Sequence, residues 1–239
     1  MEIVLLRSRR GMKYLYDGLS LQNGRSSNMD SLLLAEREID RKNSLLAVVC
    51  DGVGSMQDGA FAASLAVKSM NDWFNSLSDL ERIGLRMRDE ALKLNSRIME
   101  QAKEQSLDTA ATFTALLFVE NRYCLVHIGD TRAYSIDSNG TATQLTVDDI
   151  SEDGKLTGCV GRFGNPMFFC SEGEVDGKMF LICSDGLYKR MDFAPVLADS
   201  SIMNRKDMKR TIQRMADHAI ERGERDNISL ALLIPKTEG

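Results

Sequence analysis

Proline is scarce, with three in 239 residues, and no low-complexity stretch accompanies them. That excludes a linker-like or proline-rich chain and predicts one continuous fold. Histidine is scarcer still: His127 falls inside an apolar run and His218 in a late helical segment. Neither has a partner at ligand spacing, so both read as structural, and zinc chemistry of the histidine type lacks its ligands. The five cysteines (50, 124, 159, 170 and 183) are odd in number and form no C-x-x-C pair. Cys50 and Cys183 lie within apolar runs, the usual setting of a buried reduced thiol, which predicts a cytoplasmic compartment. No run approaches the ~18 apolar residues that span a bilayer. The opening apolar stretch Ile3–Leu6 is too short for a signal peptide, and the basic run Arg7–Arg10 follows it instead of preceding it. That pair of segments reads as a short strand and a solvated turn. Positive charge is also in deficit: the net charge of −5 argues against a nucleic-acid or anionic-membrane partner.

What the chain does have is carboxylates at the ends of apolar runs. They are Asp51 in LLAVVCDGVGS, Asp130 in YCLVHIGDTRAY, Asp185 in MFLICSDGLY and Asp226 in GERDNISLALLI. Three runs lead into the aspartate, and the fourth, Ile228–Ile234, leads away from it. A buried strand tolerates a carboxylate only at its end, because an unpaired charge in a core costs several kcal/mol. Four such ends in one fold suggest carboxylates gathered at one rim of a sheet. Clustered carboxylates repel unless a cation sits among them, which points to a hard, oxygen-ligated metal site.

A hydrophobic content of 43% is enough for one substantial core, and the motifs run on without a linker, so residues 1–239 are expected to form a single domain. Strand-like segments are Lys13–Tyr16, Ser31–Ala35, Leu45–Cys50, Thr112–Val119, Tyr123–Ile128, Arg132–Asp137, Ala142–Leu145, Met167–Cys170, Lys178–Cys183 and Ile228–Ile234. Turns at Glu120-Asn121 and at Ser138-Asn139-Gly140 predict antiparallel hairpins. Helical periodicity covers Gly59–Trp73, Leu80–Lys103 and about Asp207–Glu221. Ten strands are too many for one open sheet. The expected fold is α+β, a β-sandwich of two antiparallel sheets flanked by α-helices.

Eight short motifs, in order, carry a resemblance to the metal-dependent protein phosphatases of the protein phosphatase 2C family. Arg25-Ser-Ser-Asn28-Met29-Asp30 is similar to the family's R-x-x-N-E-D, and Asp51-Gly52-Val53-Gly54-Ser55 to its D-G-M-G-G. Ala110-Ala111-Thr112 stands for G-T-T, Gly129-Asp130-Thr131-Arg132 for G-D-S-R, and Leu145-Thr146-Val147-Asp148-Asp149 for L-T-x-D-H. Leu156-Thr157-Gly158-Cys159-Val160-Gly161 resembles L-T-R-A-L-G. Ser184-Asp185-Gly186-Leu187 and Asp226-Asn227 match S-D-G-L and D-N in full.

The resemblance implies hydrolysis of phosphoserine and phosphothreonine on protein targets of a Ser/Thr kinase. Water bridging two Mn²⁺ or Mg²⁺ ions, roughly 3.5–4 Å apart, would attack phosphorus in line. Asp51 would bridge both ions, with the Gly52 carbonyl as a further ligand, and Asp185 and Asp226 would complete the shell of the first. Asp130 would hold a third, weaker ion together with Asp185. Arg25 would clamp the phosphate through two guanidinium bonds, and Asp30 would orient the attacking water. The compact length resembles bacterial members, which are usually monomers.

Four departures stand out. Met29 takes the place of an acid, Val53 the place where some relatives carry a general-acid histidine, and Gly158 the place of an arginine. The stretch Asp148–Lys155, with its Asp153-Gly154 turn, is short where the family carries a long flap. Asp58 and Asp149 read as solvated charges. Two other readings compete: an inactive sensor or binding module on the same fold, and a metal-dependent nuclease, against which the acidic balance counts.

Overall fold

The computed structural model describes residues 12–198 and 202–236; the expected Ile3–Leu6 strand and the Arg7–Arg10 turn lie outside them. Among the described residues, ten strands form two five-stranded antiparallel sheets. They are β1 (Lys13–Leu21), β2 (Ser31–Ile39), β3 (Lys42–Cys50), β4 (Phe113–Val119), β5 (Arg122–Ile128), β6 (Arg132–Ile136), β7 (Ala142–Gln144), β8 (Phe169–Glu174), β9 (Met179–Cys183) and β10 (Ile228–Lys236). One sheet runs β1-β10-β9-β6-β7 and the other β2-β3-β4-β5-β8. The long helices are α1 (Gly59–Ser76), α2 (Ile83–Gln105) and α5 (Arg205–Glu221), and the short ones α3 (Asp185–Tyr188) and α4 (Ala194–Ala198).

Strict alternation sorts the central strands into layers. Along β3, Leu46, Val48 and Cys50 pack towards α1 and α2, while Leu45, Ala47 and Val49 face the other sheet. Along β10, Ile228, Leu230 and Leu232 pack towards α5, while Ala231 and Leu233 face inward. Both faces of these strands are dry, so their sequences read as unbroken apolar runs. The result is the expected sandwich with a helical layer on each outer face.

Within the described residues all ten expected strands are present, and the differences lie at their ends. β2 and β3 continue to a tight turn at Asp40 and Arg41, both left-handed with φ near 50° and 60°. Glu36, Arg37 and Glu38 hid that extension, because β2 is an edge strand whose outer positions take charge. β8 begins two residues later than expected, and α2 starts at Ile83 instead of Leu80. There the Asp79 carboxylate accepts from the Glu81 N–H (3.0 Å) and from Arg86 (2.7 Å), holding the preceding residues in a turn. α3 and α4 are too short for periodicity to show.

Candidate active site

Antiparallel pairing brings the acidic residues to one rim. Ser31 pairs with Cys50, Phe113 with Ile128, Arg132 with Cys183, Leu230 with Cys183 and Leu21 with Ile228. Asp51, Asp130 and Asp185 therefore leave β3, β5 and β9 at the same edge where Asp30 and Asp226 enter β2 and β10. A cavity of about 350 Å³ opens there, lined by Arg25, Met29, Asp51, Gly52, Asp130, Asp185 and Asp226 among others. Of the expected site residues only Asp30 stays behind the cavity wall, 7% exposed, with its Oδ2 accepting from the Ser184 hydroxyl at 2.8 Å.

Local chemistry fixes each position. The Asp51 N–H donates to Thr112 Oγ1 and its carbonyl accepts from the Thr112 N–H, both at 2.9 Å. Gly52 is a glycine by close approach: a Cβ there would lie 2.5 Å from the Gly59 backbone. At Gly186 a Cβ would fall 2.0 Å from the Asn227 carbonyl oxygen, so the turn carrying Asp185 lies directly on the turn carrying Asp226. Asn227 buckles the Arg25 loop in place: its amide donates to the Gln22 and Ser27 carbonyls and its oxygen accepts from the Met29 N–H.

The carboxylates are crowded. Burial, and then Asp30, Asp185, Asp130 and Asp226, hold the Asp51 carboxyl well above the usual range. Burial is also the chief reason that Asp30 and Asp130 are each pushed up to about 6. Burial opposes it, but Arg25 and the Asn227 N–H hold Asp226 below its ordinary value. Two buried oxygens, Asp30 Oδ1 and Asp185 Oδ1, have no hydrogen-bond partner among the described residues. Orphaned carboxylate oxygens beside crowded acids are what a hard cation satisfies, so the residues fit a metal centre. Among the described residues no three acids close tightly on one point. Two cations already pair with them: Arg25 with both oxygens of Asp226 (2.8 and 2.5 Å), and the Lys189 ammonium with Asp185 Oδ2.

This crowding sets a pH dependence. Between the ordinary carboxylate value and pH 6, the folded chain binds more protons at Asp30 and Asp130 than the unfolded chain does. In chelator, lowering the pH from 7.5 to 5 should therefore raise Tm, by a few degrees. Burial holds His127 below its usual imidazole value, which works against the rise below about pH 6.5, so Asp30, Asp51 and Asp130 together must outweigh it; Asp226 opposes it only below about pH 4. With saturating Mn²⁺ the slope should reverse, since protons compete with the ion. Thermal melts at both conditions check it, and a flat profile in chelator would mean that burial and crowding do not hold these acids in their neutral form.

Several residues were misread or missed. Asp58 caps α1, accepting from the Phe61 N–H at 3.1 Å, and is not a free solvated charge. Asp149 is half-buried: it accepts from the Gly129 N–H (2.8 Å) while its own N–H donates to the Gly129 carbonyl. Gly158 belongs to that arrangement, because a Cβ there would meet the Asp149 carboxylate at 2.6 Å. His127 is structural, as expected, with its ring nitrogens bonded to the Thr114 hydroxyl and the Val147 carbonyl. Lys189 was missed: it lies four residues beyond Asp185, and i,i+4 spacing in a turn after an acid is the only signal that could have found it.

The comparisons agree with this geometry. The family model described as protein phosphatase 2C matches residues 21–232. The serine/threonine protein phosphatase PstP of Mycobacterium tuberculosis is 28% identical over 233 residues, covering 87% of this chain and 42% of that protein. This chain thus spans about two fifths of that relative's length. The serine/threonine phosphatase stp of Listeria welshimeri is 25% identical over 224 residues, covering 81% of this chain and 86% of that protein. The crystal structure of the PstP catalytic domain in complex with two manganese ions superposes with a TM-score of 0.74 at 25% identity, covering 95% of this chain and all of that one. Among the described residues no helix is long and apolar enough to cross a membrane. With sandwich, rim and motif order in agreement, this chain belongs to the protein phosphatase 2C family.

Proposed function

We propose that this chain is a metal-dependent serine/threonine protein phosphatase that hydrolyses phosphoserine and phosphothreonine on protein targets of a kinase. The observation that carries the reading is the meeting of Asp51, Asp130, Asp185, Asp226 and Arg25 on one cavity in a family fold. The relatives' names and the two manganese ions of the PstP structure support it. The fold is read as one catalytic domain working as a monomer.

In this reading Asp51, the Gly52 carbonyl, Asp185 and Asp226 would hold two Mn²⁺ or Mg²⁺ ions, and Asp130 stands beside Asp185 on the same cavity. When bound, such ions activate water and take up charge on the phosphoryl oxygens. Asp30, raised to about 6, stands behind Asp51 as a group able to hold or release a proton near neutral pH. Arg25 sits at the mouth, its side chain 56% exposed, able to take two phosphate oxygens at once. To do so it must let go of Asp226, so the ion pair opens as the site fills. All four cavity carboxylates are present, which weighs against the inactive-sensor reading.

Hydrolysis of a phosphothreonine peptide with Mn²⁺, with Mg²⁺ and with chelator tests the proposal. Turnover should require metal and vanish in Asp185→Asn; metal-independent turnover would refute the mechanism, and none in any metal would refute the activity. Arg25→Ala separates the clamp from the metal centre. We expect kcat/KM to fall about a hundredfold through the lost bidentate contact, while Mn²⁺ affinity, measured by calorimetry, is kept or improved because Asp226 is freed.

A further inference from the structure

Lys189 has no part in the function proposed above, yet its ammonium contacts Asp185 Oδ2. Its anchoring is specific. Lys189 caps α3, and its backbone N–H donates to the Asp185 carbonyl. Next to it, the Tyr188 hydroxyl donates to the Asp130 carbonyl at 2.9 Å, and the Arg132 guanidinium, itself paired with Asp148, lies 3.8 Å over the Tyr188 ring. The turn that presents Lys189 is thus tied to the turn that presents Asp130. The two oxygens of Asp185 divide accordingly: Oδ2 meets the lysine, while Oδ1 is buried and unpartnered.

The geometry points to Lys189 as a built-in cation on Asp185, beside Asp130, that keeps an additional divalent ion out of that end of the cavity. This inference rests on the metal-centre reading above. Charge balance favours it. Four cavity carboxylates, two divalent ions, Arg25 and Lys189 leave two positive charges in surplus, and a phosphate monoester dianion cancels them. One more divalent ion beside the lysine would double that surplus in a site partly shielded from water, where like charges a few ångströms apart repel strongly. An ammonium covalently tethered to the same turn is always present, whereas an ion must be recruited from solution. Asp130 and Asp185 therefore need no third ion to be neutralised.

The test is a Mn²⁺ titration by calorimetry on the whole chain, with Lys189→Gln, Lys189→Ala and Lys189→Arg. The side chain is 54% exposed, so folding does not depend on it, and a thermal melt in chelator checks this. Wild type and Lys189→Arg should bind two ions. Lys189→Gln and Lys189→Ala should show an added binding event, or at least about tenfold tighter binding of the weaker ion. If wild type binds two ions and Lys189→Gln binds them with the same number and affinity, the lysine swings away on loading and the inference is overturned alone. If neither protein binds Mn²⁺, the metal-centre reading itself falls, and the inference with it.

Discussion

Asp51→Asn is expected to lower metal-dependent hydrolysis by at least about a thousandfold while leaving the fold intact. A thousandfold is roughly 4 kcal/mol of transition-state stabilisation, within what bound divalent ions supply. The residue sits where β3 ends, its backbone fixed in both directions by Thr112, so an isosteric amide keeps the geometry. What it removes is the charge that would face both ions. The same change carries a second, opposite signature. Burial and its acidic neighbours hold the Asp51 carboxyl far above the usual range, so at neutral pH the ionised form works against folding in metal-free protein. In chelator the mutant should melt at the same temperature as wild type or higher. Activity assays and melts together check the pair of effects. Wild-type turnover would sink the site assignment, and a mutant that melts lower in chelator would show that the acids are not in conflict.

Phe118→Ala should cost about 4 kcal/mol, the range for emptying a large buried aromatic site, and lower Tm by roughly 10 °C. Phe118 is fully buried between the sheets. Its ring lies 4.9 Å from Phe180, 5.1 Å from Tyr14 and 6.3 Å from Tyr123, so residues of both sheets meet on it. No smaller side chain can hold that contact, and the sheets cannot close on the gap without shifting the rim that carries the aspartates. Phe163→Ala is the control: that ring is 44% exposed, and its loss should stay within about 0.5 kcal/mol. Denaturant unfolding of both variants checks the contrast, and equal effects would mean that the inter-sheet cluster does not hold the sandwich together.

Most of the fold was legible because its signals are local. Buried strands such as β3, β4 and β10 announce themselves as apolar runs, and the Glu120-Asn121 and Ser138–Gly140 turns fix their hairpins. The site was legible for a related reason: an aspartate directly after an apolar run has few places to be except a rim. Less was readable where charge sits on structured backbone. Glu36, Arg37 and Glu38 belong to β2, and Asp58 and Asp149 spend their carboxylates on backbone N–H groups. An exposed acid and a capping acid look the same in sequence, because the difference is only which donor stands nearby.

The sequence by itself determined the strands and long helices, the sandwich class, the motif order and the identity of the acidic residues. Each of those follows from side-chain period, turn chemistry or the cost of burying a charge. Only the tertiary structure decided which strands are neighbours, with β1 beside β10 and β9 between β10 and β6. It also decided that Arg25 pairs with Asp226, 201 residues away, and that Tyr188 ties the turn carrying Asp185 and Lys189 to the turn carrying Asp130. Apolar strands of similar length can pair in many orders, and a long cationic side chain can reach many carboxylates. Those choices are made when the layers pack and the register brings distant turns to one rim, where electrostatics then selects the partners.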